Sequence, residues 1–433
     1  MEGKSKRKVK SEQSRKVFVA LSGGVDSSVA AFLLKEQGYE VTGVFMKCWS
    51  GDGPDAKVGV NCSTERDAED ARRVANHLNI PFYVFDFEKE YKKEVVKYMI
   101  DGYKKGITPN PDVMCNKEIK FGLFLKKALS LGADYISTGH YVRIAPRYIS
   151  RGIGRSSAPA AEAVLRSRAA RSFGDQAERR SESSRSKHTE ELSIHSLLEA
   201  KDKNKDQSYF LWTLTQNQLK HCLFPIGNYL KPEVRVIAKK AGLPTADKKD
   251  SQGICFLGQV TLKDFLGDYL KSKKGVIVNT DGKEIGEHDG VYFYTIGQRH
   301  GLGLGGLPGQ GGEPYYVAAK NVKTNTLTVA RGSENLELFR KEVKLENLNF
   351  IGGEFYSGNV FARVRYRQPL ARATLTNLET GIWNLVFDKP QKFVAAGQSA
   401  VFYLEENLSS PLVHSGRSSI ELRLLGGGII NET

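Results

Sequence analysis

Ser22-Gly23-Gly24-Val25-Asp26-Ser27-Ser28 follows directly on the apolar run Val17-Phe18-Val19-Ala20-Leu21. A strand therefore ends in a small-residue turn carrying hydroxyls and an acid, then enters a helix over 25–35. Glycines let backbone N–H groups close on an anion, the hydroxyls add donors, and the helix N-terminus adds partial positive charge. The segment reads as a pyrophosphate cradle. It has no Lys, so it is not a Walker A loop, and it lacks G-x-G-x-x-G. The plain alternative is an ordinary Gly-rich strand-to-helix turn. The succession of strand, loop and amphipathic helix favours the cradle.

Up to about residue 145 the pattern keeps alternating. Segments 17–21, 40–46, 81–87 and 135–138 read as short buried strands, and 25–36, 64–78, 91–103 and 113–131 as amphipathic helices. This is the pattern of an α/β fold with a doubly wound parallel sheet, whose ligands sit beyond the carboxyl ends of the strands. Ser22, Met46 and Gly139-His140 all fall at such ends.

With 433 residues the chain is long enough for two or three domains. We expect a catalytic domain over 17–149 and 190–221, a small central domain over 222–300, and a C-terminal β-barrel over 301–433, where Gly and alternating strands dominate. Helix 232–241 falls in the central domain. Lys and Arg number 64 against 49 Asp and Glu, a net charge of +15. Residues 1–16 and 150–189 each carry +5 of that excess. The first reads as a basic flexible tail. The second, rich in Arg, Ser and Ala, is too poor in apolar residues to offset its ordering entropy and reads as a disordered insertion or an RNA-binding arm. The body is mildly basic, which supports a nucleic-acid partner only weakly. No run approaches the roughly 18 apolar residues of a membrane helix, and the first 16 residues lack a signal-peptide core. Five cysteines without dense spacing suit a reducing, cytoplasmic compartment.

Two cysteines stand in distinctive surroundings. In Thr108-Pro109-Asn110-Pro111-Asp112-Val113-Met114-Cys115-Asn116-Lys117, Asp112 reads as an N-cap, placing Cys115 in the first turn of a helix, where the helix N-terminus and Lys117 favour a thiolate. A small buried residue is the alternative. Asp112 is the nearest acid or base. Cys255 lies in the Gly-flanked Asp250-Ser251-Gln252-Gly253-Ile254-Cys255-Phe256-Leu257-Gly258. Two separated thiols and an anion loop suggest sulfur chemistry, with one Cys carrying a persulfide and the other resolving it. Cys48, Cys62 and Cys222 read as packing residues, and His77, His221 and His300 show no metal-ligand spacing.

The loop is similar to that of the PP-loop ATP pyrophosphatases. Together with Gly43–Lys47, Thr108–Phe121, Thr138-Gly139-His140-Tyr141, Lys205–Leu211, Ser251–Gly258, Tyr294–Arg299 and Arg363–Gln368, it resembles the tRNA-specific 2-thiouridylase (MnmA) family over nearly the whole chain. Cys48 departs from the Asn common there. The resemblance implies that Ala20, Leu21, Ser22, Gly23, Gly24, Val25, Asp26, Ser27, Met46 and Gly139 bind ATP, with Mg2+ on the phosphates. It implies that Asn110, Pro111 and Asp112 meet the target uridine, and that His140, Lys205, Asp206, Gln207, Arg365, Tyr366 and Gln398 touch tRNA. Cys255 would carry the persulfide and Cys115 would act as nucleophile or resolving thiol. An iron–sulfur cluster on Asp112, Cys115 and Cys255 is the lesser alternative. The implied activity is adenylation of the uridine C2 carbonyl followed by sulfur transfer. The partners are tRNA and a sulfur donor, a cysteine desulfurase or relay protein, acting with a monomer free of membrane. Two other readings stay open: another PP-loop adenylating enzyme, which would not need the cysteines, and a non-catalytic RNA-binding protein indifferent to ATP.

Overall fold

The apolar run before the loop forms a parallel strand, β1 (Lys16–Ala20), whose alternate side chains enter two different cores. Val17 and Val19, with Leu21 just beyond, pack with Val29, Ala30 and Leu34 of α1 (Val25–Glu36). Phe18 and Ala20 face the opposite side, among Tyr91, Met99, Ile119 and Phe124. A strand covered on both faces needs continuous apolar sequence, which is why this one lacks polar alternation. The computed structural model describes residues 15–49, 63–150, 191–250, 261–304, 312–353, 355, 357–378, 381–407 and 420–431. The expectations for the tail before Arg15, for 151–189, for Cys62 and for 251–258 with Cys255 therefore lie outside the described residues.

The chain divides into two compact units, residues 1–145 with 195–433, and residues 146–194. Of the second, the described residues belong to strands Arg143–Ser150 and Glu191–Leu198, which run into it from either side.

In the first unit, β2 (Glu40–Lys47), β3 (Phe82–Asp86), β4 (Tyr135–Ser137) and the short strand Cys222–Leu223 complete a five-stranded parallel sheet. The order is β3-β2-β1-β4, then Cys222–Leu223. The chain winds outward from β1 through β2 to β3 and returns to the other side of β1 with β4. The switch point is thus between β1 and β4, where doubly wound sheets open a ligand crevice. Helix α2 (Ser63–His77) covers one face with α1. Helix Lys231–Lys240, expected in a central module, buries Val234 and Ala238 in the same core as α1.

Strands Gly275–Val278 and Glu284–His288 pair with Tyr315–Asn321 and Thr326–Arg331 in a separate four-stranded sheet. Segment 326–330, read from sequence as barrel, therefore belongs here, because its edge is taken by Gly275–Val278. Six further strands, from Phe339–Phe350 to Ile420–Ile430, form the C-terminal barrel, and pairing between those two strands closes it. Leu345, Ala362, Leu375, Leu385, Phe387 and Phe402 fill the interior and are wholly buried.

Candidate active site

The loop after β1 stands at the switch point. Leu21 N–H donates to the Val44 carbonyl at 2.8 Å, after which the chain leaves the sheet. Gly23 takes φ +73°, and a Cβ there would come within 2.3 Å of the Asp67 carbonyl oxygen, so only glycine makes this turn. Gly24 caps α1 without a side chain, which leaves the first-turn amides available to an anion. The hydroxyls expected to serve as donors are partly engaged inside the loop. Ser27 Oγ and Ser28 Oγ donate to the Gly24 carbonyl at 3.1 and 2.8 Å, and Ser22 N–H donates to Ser27 Oγ at 3.1 Å. These bonds shape the cradle and leave contact with an anion to the backbone.

Gly139, after β4, forms the other wall. A Cβ on it would lie 2.7 Å from the Ser27 nitrogen, so the two loops touch backbone to backbone. Met46 lies at the end of β2, paired with Phe85 and packed on the core below.

Asp26, in the first turn of α1, is gripped from two sides. Tyr141 Oη donates to Oδ1 at 2.8 Å, and Lys231 Nζ donates to both carboxylate oxygens at 2.8 Å. Lys231 also reaches Asp250 Oδ1 at 2.8 Å, and Asp250 accepts from Lys205 and Arg235, each at 2.7 Å. Burial raises the Asp250 carboxyl, but hydrogen bonds from Lys205 and Lys231 outweigh it and hold the group well below the usual carboxylate range. Burial, joined by Asp26, pushes the Tyr141 phenol far up, so it remains a donor. Among the described residues no group of three or more His, Cys, Asp or Glu is arranged to hold a metal ion. A magnesium ion carried by phosphates asks for only one or two protein carboxylates, and Asp26 fits that demand.

A second cluster surrounds residues 108–121. Asn110, not Asp112, is the N-cap: its Oδ1 accepts from Val113 N–H at 3.3 Å, with Pro111 at the first helical position. Cys115 consequently lies beyond the first turn, where the helix changes to π winding over Cys115–Phe124, and it is buried. Cys115 therefore gains less from the helix N-terminus than a first-turn thiol would. Burial raises the Asp112 carboxyl while Lys120 lowers it. Burial, with Lys120 adding to it, lowers the His140 imidazole well below its ordinary value. Its Nδ1 lies 2.8 Å from Thr138 Oγ1, and its ring is 5.8 Å from that of Phe121. Lys120 thus influences both groups.

The residues expected at tRNA divide by environment. Gln207 Oε1 accepts from Tyr141 N–H at 3.0 Å, and Lys205 joins the Asp26 network through Asp250. Asp206 is 2% exposed and paired with Arg363 at 3.1 Å. Arg365 donates from Nε to the Phe393 carbonyl at 2.8 Å and from a terminal nitrogen to the Ile296 carbonyl. Gln398 Nε2 donates to the Thr108 and Pro109 carbonyls at 2.9 and 3.3 Å, tying the barrel to the segment before Asn110. The Tyr366 ring is 4.5 Å from that of Phe210. A cavity of about 580 Å³ opens beside Lys205, lined also by Lys203, Arg363, Arg367 and Glu199.

Lys231 and Arg235 fell outside the motifs read from the sequence, while Asp250, Tyr141 and Lys120 stood inside them without a role of their own. One signal was available: Lys231 begins a helix, the end at which a cation opposes the dipole.

Residues 15–177 and 179–259 match a family model described as tRNA methyl transferase HUP domain, 263–331 match its PRC-barrel domain, and 340–409 match an aminomethyltransferase beta-barrel domain. The chain is 43% identical to tRNA-specific 2-thiouridylase MnmA 2 of Geobacillus kaustophilus, over 98% of this chain and 96% of the relative. It is 44% identical to tRNA-specific 2-thiouridylase MnmA of Geobacillus thermodenitrificans, over 91% and 93%, and 41% identical to that of Legionella pneumophila, over 90% and 95%. Identity of this extent takes in the loop, the segment before Cys115 and both C-terminal sheets at once, and it settles the kinship: this chain belongs to the tRNA-specific 2-thiouridylase family.

Proposed function

We propose that the chain is an ATP-dependent tRNA-uridine 2-sulfurtransferase of the cytosol, converting a wobble uridine to 2-thiouridine. The observation that carries this reading is the Asp26 cradle: an N-terminally open helix, the Gly139 backbone packed on that of Ser27, and an aimed carboxylate at the switch point of a parallel sheet. Ala20–Ser27 and Gly139 hold the phosphates there, and Met46 lies by the adenine. Magnesium would rest on Asp26 and offset charge on the departing pyrophosphate.

The C2 carbonyl oxygen of uridine is a poor leaving group, so its attack on the α-phosphorus of ATP expels pyrophosphate and turns it into bound AMP. The raised carboxyl of Asp112 suits a proton acceptor, and Asn110 and Pro111 lie beside it. The terminal sulfur of a Cys255 persulfide then attacks C2 and AMP leaves. Cys115 thiolate attacks the Cys255 sulfur, a Cys115–Cys255 disulfide forms, and the sulfur stays on C2 as 2-thiouridine. An external dithiol reduces the disulfide, and a sulfur-donor protein restores the persulfide. The uridine must leave its stack to be reached. Lys205 and Gln207, with the basic cavity beside them, supply the side that meets RNA phosphates. The protein acts as a monomer on the anticodon stem-loop, where His140, Asp206, Arg365, Tyr366 and Gln398 make or support the contact.

The test is Asp26→Ala. Pyrophosphate release should fall by about 10²-fold or more, the scale of losing a preorganised charge at a reacting phosphate, while tRNA affinity changes little. A release rate near that of the unmodified protein would remove the ATP-site assignment.

A further inference from the structure

Lys231 is the residue of the first cluster whose presence the fold does not require. A cation at the start of helix Lys231–Lys240 opposes the helix dipole, and fixing a lysine side chain that is only 12% exposed costs conformational entropy. Its three ammonium protons face three carboxylate oxygens, two on Asp26 and one on Asp250. The stem passes by Tyr141, whose ring centroid is 5.9 Å from Nζ and whose hydroxyl holds Asp26 from the other side. A bare carboxylate in the first turn of α1 would repel phosphates drawn to the same helix end. Lys231 removes that conflict while keeping the carboxylate aimed.

We propose that Lys231 is a positioning residue of the nucleotide site, whose positive charge offsets and aims Asp26 so that the loop accepts a triphosphate. The proposal rests on the reading of the loop as an ATP site. It makes the charge at position 231 matter more than the shape of the side chain. It also makes the value of that charge depend on Asp26: with Asp26 neutral, Lys231 has less to offset.

Binding of ATP to the full chain, without tRNA and in a chelating buffer, measured by calorimetry, separates these roles. Lys231→Met should weaken ATP binding on the order of tenfold to a hundredfold, the range for one charged hydrogen-bonding partner lost at a half-buried site. Lys231→Arg should keep most of the affinity. Adding Asp26→Asn to Lys231→Met should recover a large part of the loss, which a merely structural lysine would not allow. Equal affinity of Lys231→Met and the unmodified protein, or no recovery in the double variant, would overturn the proposal. An unmodified protein that fails to bind ATP would instead overturn the ATP reading and this inference with it. Should Lys231→Met not fold, Lys231→Arg and the double variant decide: loss of binding in the first, or none regained in the second, counts against it.

Discussion

Two ionic clusters are built from the same kinds of side chain and differ in their access to water. At the barrel junction, Arg363 donates to Glu199 at 2.7 Å, to Asp206 at 3.1 Å and to Tyr403 Oη at 3.0 Å, all of them buried. Ser208 ties Asp206 to Tyr403 at 2.8 and 2.9 Å. At the loop, Asp26 and Asp250 are each 31% exposed around Lys231. Ions this deeply buried cannot exchange partners without leaving a charge unpaired, so the first cluster holds the barrel to the segment 199–208. Ions at a wet rim can exchange a carboxylate for an incoming phosphate at small cost. Similar chemistry is a fastener in one place and, on the proposed reading, part of a phosphate receptor in the other.

The sharpest way to break this contrast is Arg363→Met. Buried Asp206 loses its cation and Glu199 is left with the exposed Lys203, and a loss of about 3–5 kcal/mol in stability is expected. Denaturant unfolding measures it. A loss below about 1 kcal/mol, the range of exposed pairs, would put both clusters in the same class.

Gly139→Ala comes next. The added methyl meets the Ser27 backbone nitrogen at 2.7 Å, so the two loops must part, at roughly 1–3 kcal/mol of stability and with weakened ATP binding. Calorimetry with ATP and a melting curve give both quantities. Unchanged binding would show that the touching loops are not the nucleotide site.

Asp112→Asn should act on pH dependence, with a smaller effect. The folded carboxyl is raised above its unfolded value of 3.8. The protonated form is thus the better one in the fold, and the wild-type residue loses stability as pH rises through the raised value. The Asn variant should be the more stable above that window and equal below the unfolded value, while thiolation falls. A variant less stable at neutral pH would contradict the sign. Least of all should Cys222→Ala matter. Its buried thiol donates to the Gln218 carbonyl at 3.1 Å, and thiolation should persist with roughly 1 kcal/mol or less of stability lost.

How much of this was legible in the sequence follows from which contacts are local. β1, the loop and α1 were placed to within one residue, because apolar run, glycines and helix start are read within about 20 residues. The family resemblance was carried by short contiguous motifs. What escaped depends on contacts between distant segments. Lys231 is 205 residues from Asp26, and no local pattern joins them. The same holds for Gln398 on the Thr108 carbonyl, 290 residues away, which makes an expected tRNA contact also a fastener of the barrel. Asp112 and Asn110 are both good capping residues, and Pro111 decided between them: its fixed φ suits the first helical position, so the cap falls one residue earlier.

The central claim is that sulfur reaches an activated uridine through two thiols, and Cys115→Ser tests it most directly. Purified variant, tRNA, ATP and a sulfur donor are incubated, pyrophosphate is followed, and 2-thiouridine is measured in digested tRNA. The expected result is pyrophosphate release with no 2-thiouridine, the substrate being activated and the sulfur left unresolved on Cys255. Steady formation of 2-thiouridine by the Cys115→Ser variant would contradict it.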